Sequence, residues 1–152
     1  MMRNFFGFLV FAGLMTGCTF NEPVVFRGLE NLALAGADDE HLNLTAAAVF
    51  YNPNKVAGKL RDVYIEVWLQ EQRLAVISQE EKTTVPASDT FQVPLQASIA
   101  ARALQQNFWD HVLTLAQGNK LTLHFKGYIS ISKAAGLYRQ QVAIDHTAAV
   151  RL

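Results

Sequence analysis

The side chains that could do covalent or acid–base chemistry are few and scattered. One cysteine, Cys18, and four histidines, His41, His111, His124 and His146, stand in a chain of 152 residues. A lone thiol excludes an intramolecular disulfide. The histidines share no spacing that places two on one face as metal ligands, and neither HExxH nor Cys-x-x-Cys occurs. Asp110 and His111 follow Trp109 directly, but sequence neighbours on a helix point apart. No serine sits in a Gly-x-Ser-x-Gly elbow, and there is no glycine loop to cradle phosphate. The expectation is a noncatalytic protein with neither metal nor cofactor.

The setting of Cys18 gives it another use. Arg3 supplies a charged start, and Phe5 to Leu14 form an apolar run too short for a stable membrane span. Leu14-Met15-Thr16-Gly17-Cys18 then follows. That ending resembles the lipobox of bacterial lipoproteins, in which the cysteine is lipidated and becomes the new N-terminus; the other reading is an ordinary secretory signal with a chance cysteine. The resemblance implies acyl chains such as palmitate on Cys18, and two or more chains hold a protein at a bilayer where one does not. Thr19 after the cysteine, rather than Asp, implies sorting to the periplasmic face of the outer membrane of a Gram-negative bacterium. The chain therefore divides into a leader over residues 1–17, a lipidated tether over 18–23 and one domain over 24–152.

Composition fits this division. Acidic and basic residues balance at 13 each, so no overall field draws the protein to nucleic acid. Half the residues are hydrophobic, enough for a core in one domain of this length.

The domain is organised around a sharp connection at Asn52-Pro53-Asn54. Before it, Leu42, Leu44, Ala46, Ala48 and Phe50 alternate with polar or small residues; after it, Val63, Ile65, Val67 and Leu69 alternate with Tyr64, Glu66 and Trp68. Both runs have the period of a strand. Pro53 sets its own φ and pushes Asn52 towards extended geometry, the Asn side chains can bond local backbone, and Asn54 tolerates a left-handed conformation. Gly58 is a second permissive point.

Further strands follow from the same alternation. Val25, Leu29, Leu32 and Leu34 fit a first strand imperfectly, with a break or bulge at Gly28. Asp38-Asp39-Glu40 reads as a solvated turn, since the ligand spacing of an EF-hand is missing. Leu74, Val76 and Ile77 give another strand, and Thr83 to Val85 a short one before Pro86. Phe91, Val93, Leu95 and Ala97 alternate around Pro94, which marks an edge strand or an amide facing out. Leu121, Leu123, Phe125, Ile129 and Ile131 form a long strand with Gly127 as a bulge or close-packing point. Ala134-Ala135-Gly136 turns into a closing strand through Tyr138, Val142 and Ile144.

Between them the period changes. Leu104, Phe108, Val112 and Leu115 recur at helical spacing, with Trp109 and Leu113 widening the stripe. One amphipathic helix over 100–117 is expected, packed across an open end of the sheets; the sharper readings are a lid over a ligand cleft or a membrane-lying helix. Short strands with one late helix suggest a mainly β, two-sheet antiparallel sandwich.

Phe50-Tyr51-Asn52-Pro53-Asn54 between two such strands, followed by Thr90-Phe91-Gln92-Val93-Pro94-Leu95, resembles the late embryogenesis abundant type 2 family, also called the water stress and hypersensitive response domain family. The resemblance covers about half the chain and implies an immunoglobulin-like or fibronectin type III-like sandwich associated with desiccation and stress tolerance. Tyr64 and Trp68, two strand steps apart, together with Phe108, Trp109 and Val112, form the candidate surface for an envelope protein or lipid partner. The plainer reading of Tyr64 and Trp68 is a central strand covered on both faces. Two functions remain in view: a membrane-anchored interaction or protective module, and a carrier of an apolar ligand beneath the helix.

Overall fold

The computed structural model describes residues 22–38, 40–80, 82–102, 110, 117–118 and 120–150. Among the described residues eight strands run β1 (Val25–Ala37), β2 (His41–Asn52), β3 (Gly58–Leu69), β4 (Gln72–Glu80), β5 (Thr84–Val85), β6 (Asp89–Ala100), β7 (Leu121–Lys133) and β8 (Tyr138–Val150). They form two antiparallel sheets, β1-β2-β6 and β4-β3-β7-β8, with β5 added to β3. One apolar core lies between them.

Strand alternation builds that core directly. Leu42, Leu44, Ala48 and Phe50 from β2 and Phe91, Val93, Leu95 and Ala97 from β6 meet Val63, Ile65 and Val67 from β3 and Phe125, Ile129 and Ile131 from β7. Phe50 is sandwiched between Phe26 and Phe91, with ring centroids 5.3 and 5.4 Å away. The sheets close along two seams. On one, the Phe26 ring meets the edge of His146 at 5.6 Å; on the other, Gln79 Nε2 of β4 donates to the Pro94 carbonyl of β6 at 3.3 Å.

Pro94 sits on an edge strand, as its chemistry demands. Within a strand the C=O and N–H of one residue point the same way. The Pro94 carbonyl faces β4, so the missing N–H also falls on the open edge and β2 loses no ladder bond.

Bulges account for the places where simple alternation misleads. In β1 the register shifts between Phe26 and Gly28 and again between Glu30 and Ala33, where Asn31 takes a positive φ of 54°. Each shift inserts a residue and flips the phase, so Phe26, Leu29, Leu32 and Leu34 all pack on the core while Val25 faces out. The same device corrects β4. Between the pairs Val67 with Ala75 and Trp68 with Arg73, Leu74 is the extra residue. Leu74 and Ile77 are therefore buried and Val76 is exposed, against the expected alternation of Leu74 with Val76.

Two glycines are required by close approach. A Cβ on Gly127 would collide with the Tyr64 carbonyl oxygen and come within 2.7 Å of the Ile65 Cα. The β3–β7 register runs unbroken past it, so Gly127 is a packing point; the bulge falls instead at Arg61. A Cβ on Gly58 would likewise come within 2.9 Å of Ile131 Cγ2, and the Gly58 φ is not in the left-handed range. The β3–β4 turn uses no glycine: Gln70 takes a φ of 53°.

The expected helix over 100–117 receives no support. Ala100 belongs to β6 and pairs with His41 of β2, and just beyond the strand the Ala101 amide donates to the Glu40 carbonyl at 2.7 Å. Residues 103–109 and 111–116 lie outside the described residues. Among the described residues no helix is long and apolar enough to cross a membrane.

Candidate functional site

The Asn52-Pro53-Asn54 connection becomes a buried polar hub. Asn52 Nδ2 donates to the carbonyls of Val56 at 3.2 Å and Pro86 at 2.7 Å. Its Oδ1 accepts from the Asn54 amide at 3.1 Å and from Asn54 Nδ2 at 2.8 Å. Asn54 in turn receives the Glu22 amide on Oδ1 at 2.9 Å and donates to the Glu22 carbonyl at 2.8 Å, while its own carbonyl accepts the Ser88 amide at 2.9 Å. Asn54 keeps a negative φ, so its side chain, rather than any left-handed backbone, is what the position uses. Three separated segments are tied at one end of the domain.

The outward face of the β4-β3-β7-β8 sheet carries the other cluster. Tyr64, Glu66 and Trp68 project from alternate positions of β3 and are half-buried. Glu66 gathers three donors: Arg73 Nη1 at 2.8 Å, Trp68 Nε1 at 3.2 Å and Tyr64 Oη at 3.3 Å. The Arg73 hydrogen bond holds the Glu66 carboxyl below its usual range, with smaller help from Trp68 and Tyr64. Such a carboxylate is a fixed charge at neutral pH and a poor proton acceptor.

Beside it, the Tyr64 ring stacks on Tyr128 of β7 with centroids 5.8 Å apart. His124 stands opposite Trp68 in the register, and its Nε2 meets Asp145 Oδ1 of β8 at 2.6 Å. That hydrogen bond, followed by the charges of His124 and Lys126, lowers the Asp145 pKa. Tyr64, Glu66, Trp68, His124, Lys126 and Tyr128 line an open groove of about 600 Å³. The arrangement supplies flat aromatic area with charges of both signs, suited to contact with another surface.

Of the expected surface residues, Tyr64 and Trp68 come together here, whereas Phe108, Trp109 and Val112 lie outside the described residues, as does Cys18. Glu66, Arg73, His124 and Tyr128 were not expected. The alternation that points Tyr64 and Trp68 outwards also points Glu66, but the β7 partners depend on a register that only the folded sheet sets. The three histidines among the described residues stay apart, and His111 lies outside them: His41 lies 3.7 Å from Asp38, His124 pairs with Asp145 and His146 packs on Phe26. Among the described residues, no group of three or more His, Cys, Asp or Glu side chains could hold a metal.

Fold and surface together define a two-sheet antiparallel β-domain pinned by a buried asparagine hub. The family model for late embryogenesis abundant protein matches residues 49–146, close to two thirds of the chain, and the chain belongs to that family, type 2. A solution structure of a protein from Arabidopsis thaliana is similar at a TM-score of 0.62 and 9% identity, over 86% of this chain and 83% of that one. A crystal structure of a protein from Archaeoglobus fulgidus is similar at 0.55 and 12% identity, over 84% and 99%. At such identities these likenesses speak to the fold alone. No curated protein matches the chain.

Proposed function

We propose that this chain is a noncatalytic envelope lipoprotein: a late embryogenesis abundant type 2 domain tied by lipidated Cys18 to the periplasmic face of the outer membrane of a Gram-negative bacterium. It serves as a stress-protective or interaction module and presents the Tyr64–Trp68 face to an envelope partner. The observation that carries the reading is the sequence Leu14-Met15-Thr16-Gly17-Cys18, placed four residues before the Glu22 backbone that Asn54 clamps.

The finer fold assignment is immunoglobulin-like, in its fibronectin type III-like form. With the strands other than β5 labelled A, B, C, C′, E, F and G in chain order, the sheets read A-B-E and C′-C-F-G. This supports a sandwich of that architecture.

The test is metabolic labelling with a fatty-acid probe. The protein should take up label and fractionate with membranes, and Cys18→Ala should do neither; equal label in both would remove the anchor. An apolar ligand retained through purification would favour the carrier reading instead.

A further inference from the structure

We propose that the apex of the β7–β8 hairpin, with Val56 of the β2–β3 loop beside it, inserts into the headgroup boundary of a phospholipid bilayer. The connection between these strands is Ala134-Ala135-Gly136-Leu137, four residues without a polar side chain. Surface turns are ordinarily built from polar residues, glycine and proline. Here Ala135 and Gly136 take positive φ values of 57° and 94°, which makes the turn tight, and Leu137 is 91% exposed. Tyr138 and Val56 are exposed as well, so three of the five exposed large hydrophobic residues among those described lie at this tip. The β2–β3 loop borders it directly, since Ala57 and Gly58 line one pocket with Ala135 and Gly136. Apolar area left in water at an apex is area that a bilayer boundary can cover.

The charges around the tip suit the same boundary. Lys59 and Arg139 lie in one cross-strand row through Ser132, directly behind the apex, and Lys55 precedes Val56; all three are exposed. Against them stand exposed Glu22 and Asp89 at the hub. An apolar tip ringed by cations fits between acyl chains and anionic headgroups, because lysine and arginine stems lie along the surface while their heads stay wet. At the opposite end the β1–β2 and β3–β4 turns display Asp38, Glu40, Gln70 and Glu71, and none of the exposed large hydrophobic residues.

The tether makes a bilayer the occupant, and this step rests on the anchor proposed above. Asn54 clamps both polar groups of the Glu22 backbone, and Asn52, in the same network, holds the Val56 carbonyl. The chain therefore leaves the domain beside the β2–β3 loop. Four residues of extended chain from Glu22 back to Cys18 span at most about 14 Å. Each headgroup layer is roughly 6 Å thick. A domain held that closely meets the lipid surface with its hub end, where the apolar tip stands.

The experiment uses the full chain in nanodiscs of phosphatidylethanolamine and phosphatidylglycerol, with and without a phospholipid that carries a nitroxide on its acyl chain next to the headgroup. In methyl NMR the Val56 and Leu137 signals should broaden when the nitroxide is present. Val76, also exposed but paired with Glu66 on the outer sheet face, should not. Leu137→Asp, at a solvated position that leaves the core untouched, should cut the nitroxide effect at Val56 about tenfold, the loss of one apolar side chain from the boundary. Broadening that is strongest at Val76, equal at all three residues, or unchanged at Val56 by Leu137→Asp would overturn the proposal. So would broadening of Val56 and Leu137 that persists without the nitroxide and rises with protein concentration, the mark of a second copy at the tip. Fatty-acid label on Cys18 is read in the same preparation. Label without contact at the tip defeats this inference alone; contact without label supports it and defeats only the anchor.

Discussion

Asn54 treats the backbone of Glu22 as a strand would, accepting its N–H at 2.9 Å and donating to its C=O at 2.8 Å across 32 residues of sequence. An amide side chain carries the same donor and acceptor as a peptide group, so one buried residue captures both polar groups of a passing segment. The same Nδ2 also reaches Asn52 Oδ1 at 2.8 Å, so the clamp and the loop are one network. The start of the domain is thereby locked to the β2–β3 connection.

Removal of that clamp should loosen the start of the domain first. Asn54→Ala leaves the Glu22 N–H and C=O without their partner, and a loss of about 2 kcal/mol is expected. Hydrogen exchange at the Glu22 amide should accelerate more than exchange in β3 or β7. Asn52→Ala removes bonds to Val56, Pro86 and Asn54 at a fully buried position, and about 3 kcal/mol should be lost in urea unfolding.

Gly127→Ala is the sharpest steric test. Its Cβ has to displace the backbone of Tyr64 and Ile65, which cannot swing aside as a side chain does. Destabilisation of about 3 kcal/mol or more is expected, read as a fall in the denaturant midpoint. Gly136→Ala, which meets no neighbouring atom, should be milder and limited to the strain of its φ of 94°.

Glu66 should make the aromatic face sensitive to acid. Its folded pKa lies below that of an ordinary glutamate because Arg73 donates to it, so the interaction contributes fully above the unfolded pKa and disappears as pH falls through the folded one. The difference in melting temperature between the protein and Glu66→Gln should shrink from neutral pH to below about pH 4. In a Trp109→Phe background, the emission of Trp68 should shift over the same window, because its indole N–H donates to that carboxylate.

Pro94→Ala restores an amide on the free edge of β6. Folding stability should change little, since no ladder bond is gained within the sheet. Self-association should rise with concentration in sedimentation velocity, because an open donor on a long edge strand can pair with another chain. An unchanged sedimentation profile would show that the Gln79 contact alone guards the edge.

Period-two alternation was enough to find β2, β3 from Val63 onwards, β6 and the apolar half of β7, because alternate side chains there face the core in unbroken phase. The same local information marked Pro94 as an edge residue or one with its amide position facing out, Gly127 as a bulge or close-packing point, and Asn52-Pro53-Asn54 as the sharp connection. Gly28 marked a break or bulge in β1, where the register does shift, but local chemistry could not show the second shift of β1 or the bulge of β4, since a bulge depends on the partner strand, and such bulges turn Val25 and Val76 outwards. Nor could it bring Glu22 to Asn54, Tyr64 to Tyr128 or Ser132 to Arg61, residues far apart along the chain whose neighbourhood exists only once two sheets have chosen their register. Residue types and spacing thus determined which segments extend and which face each one buries; strand pairing alone decided which polar groups meet, because hydrogen-bond partners across a sheet are set by register and not by proximity in sequence.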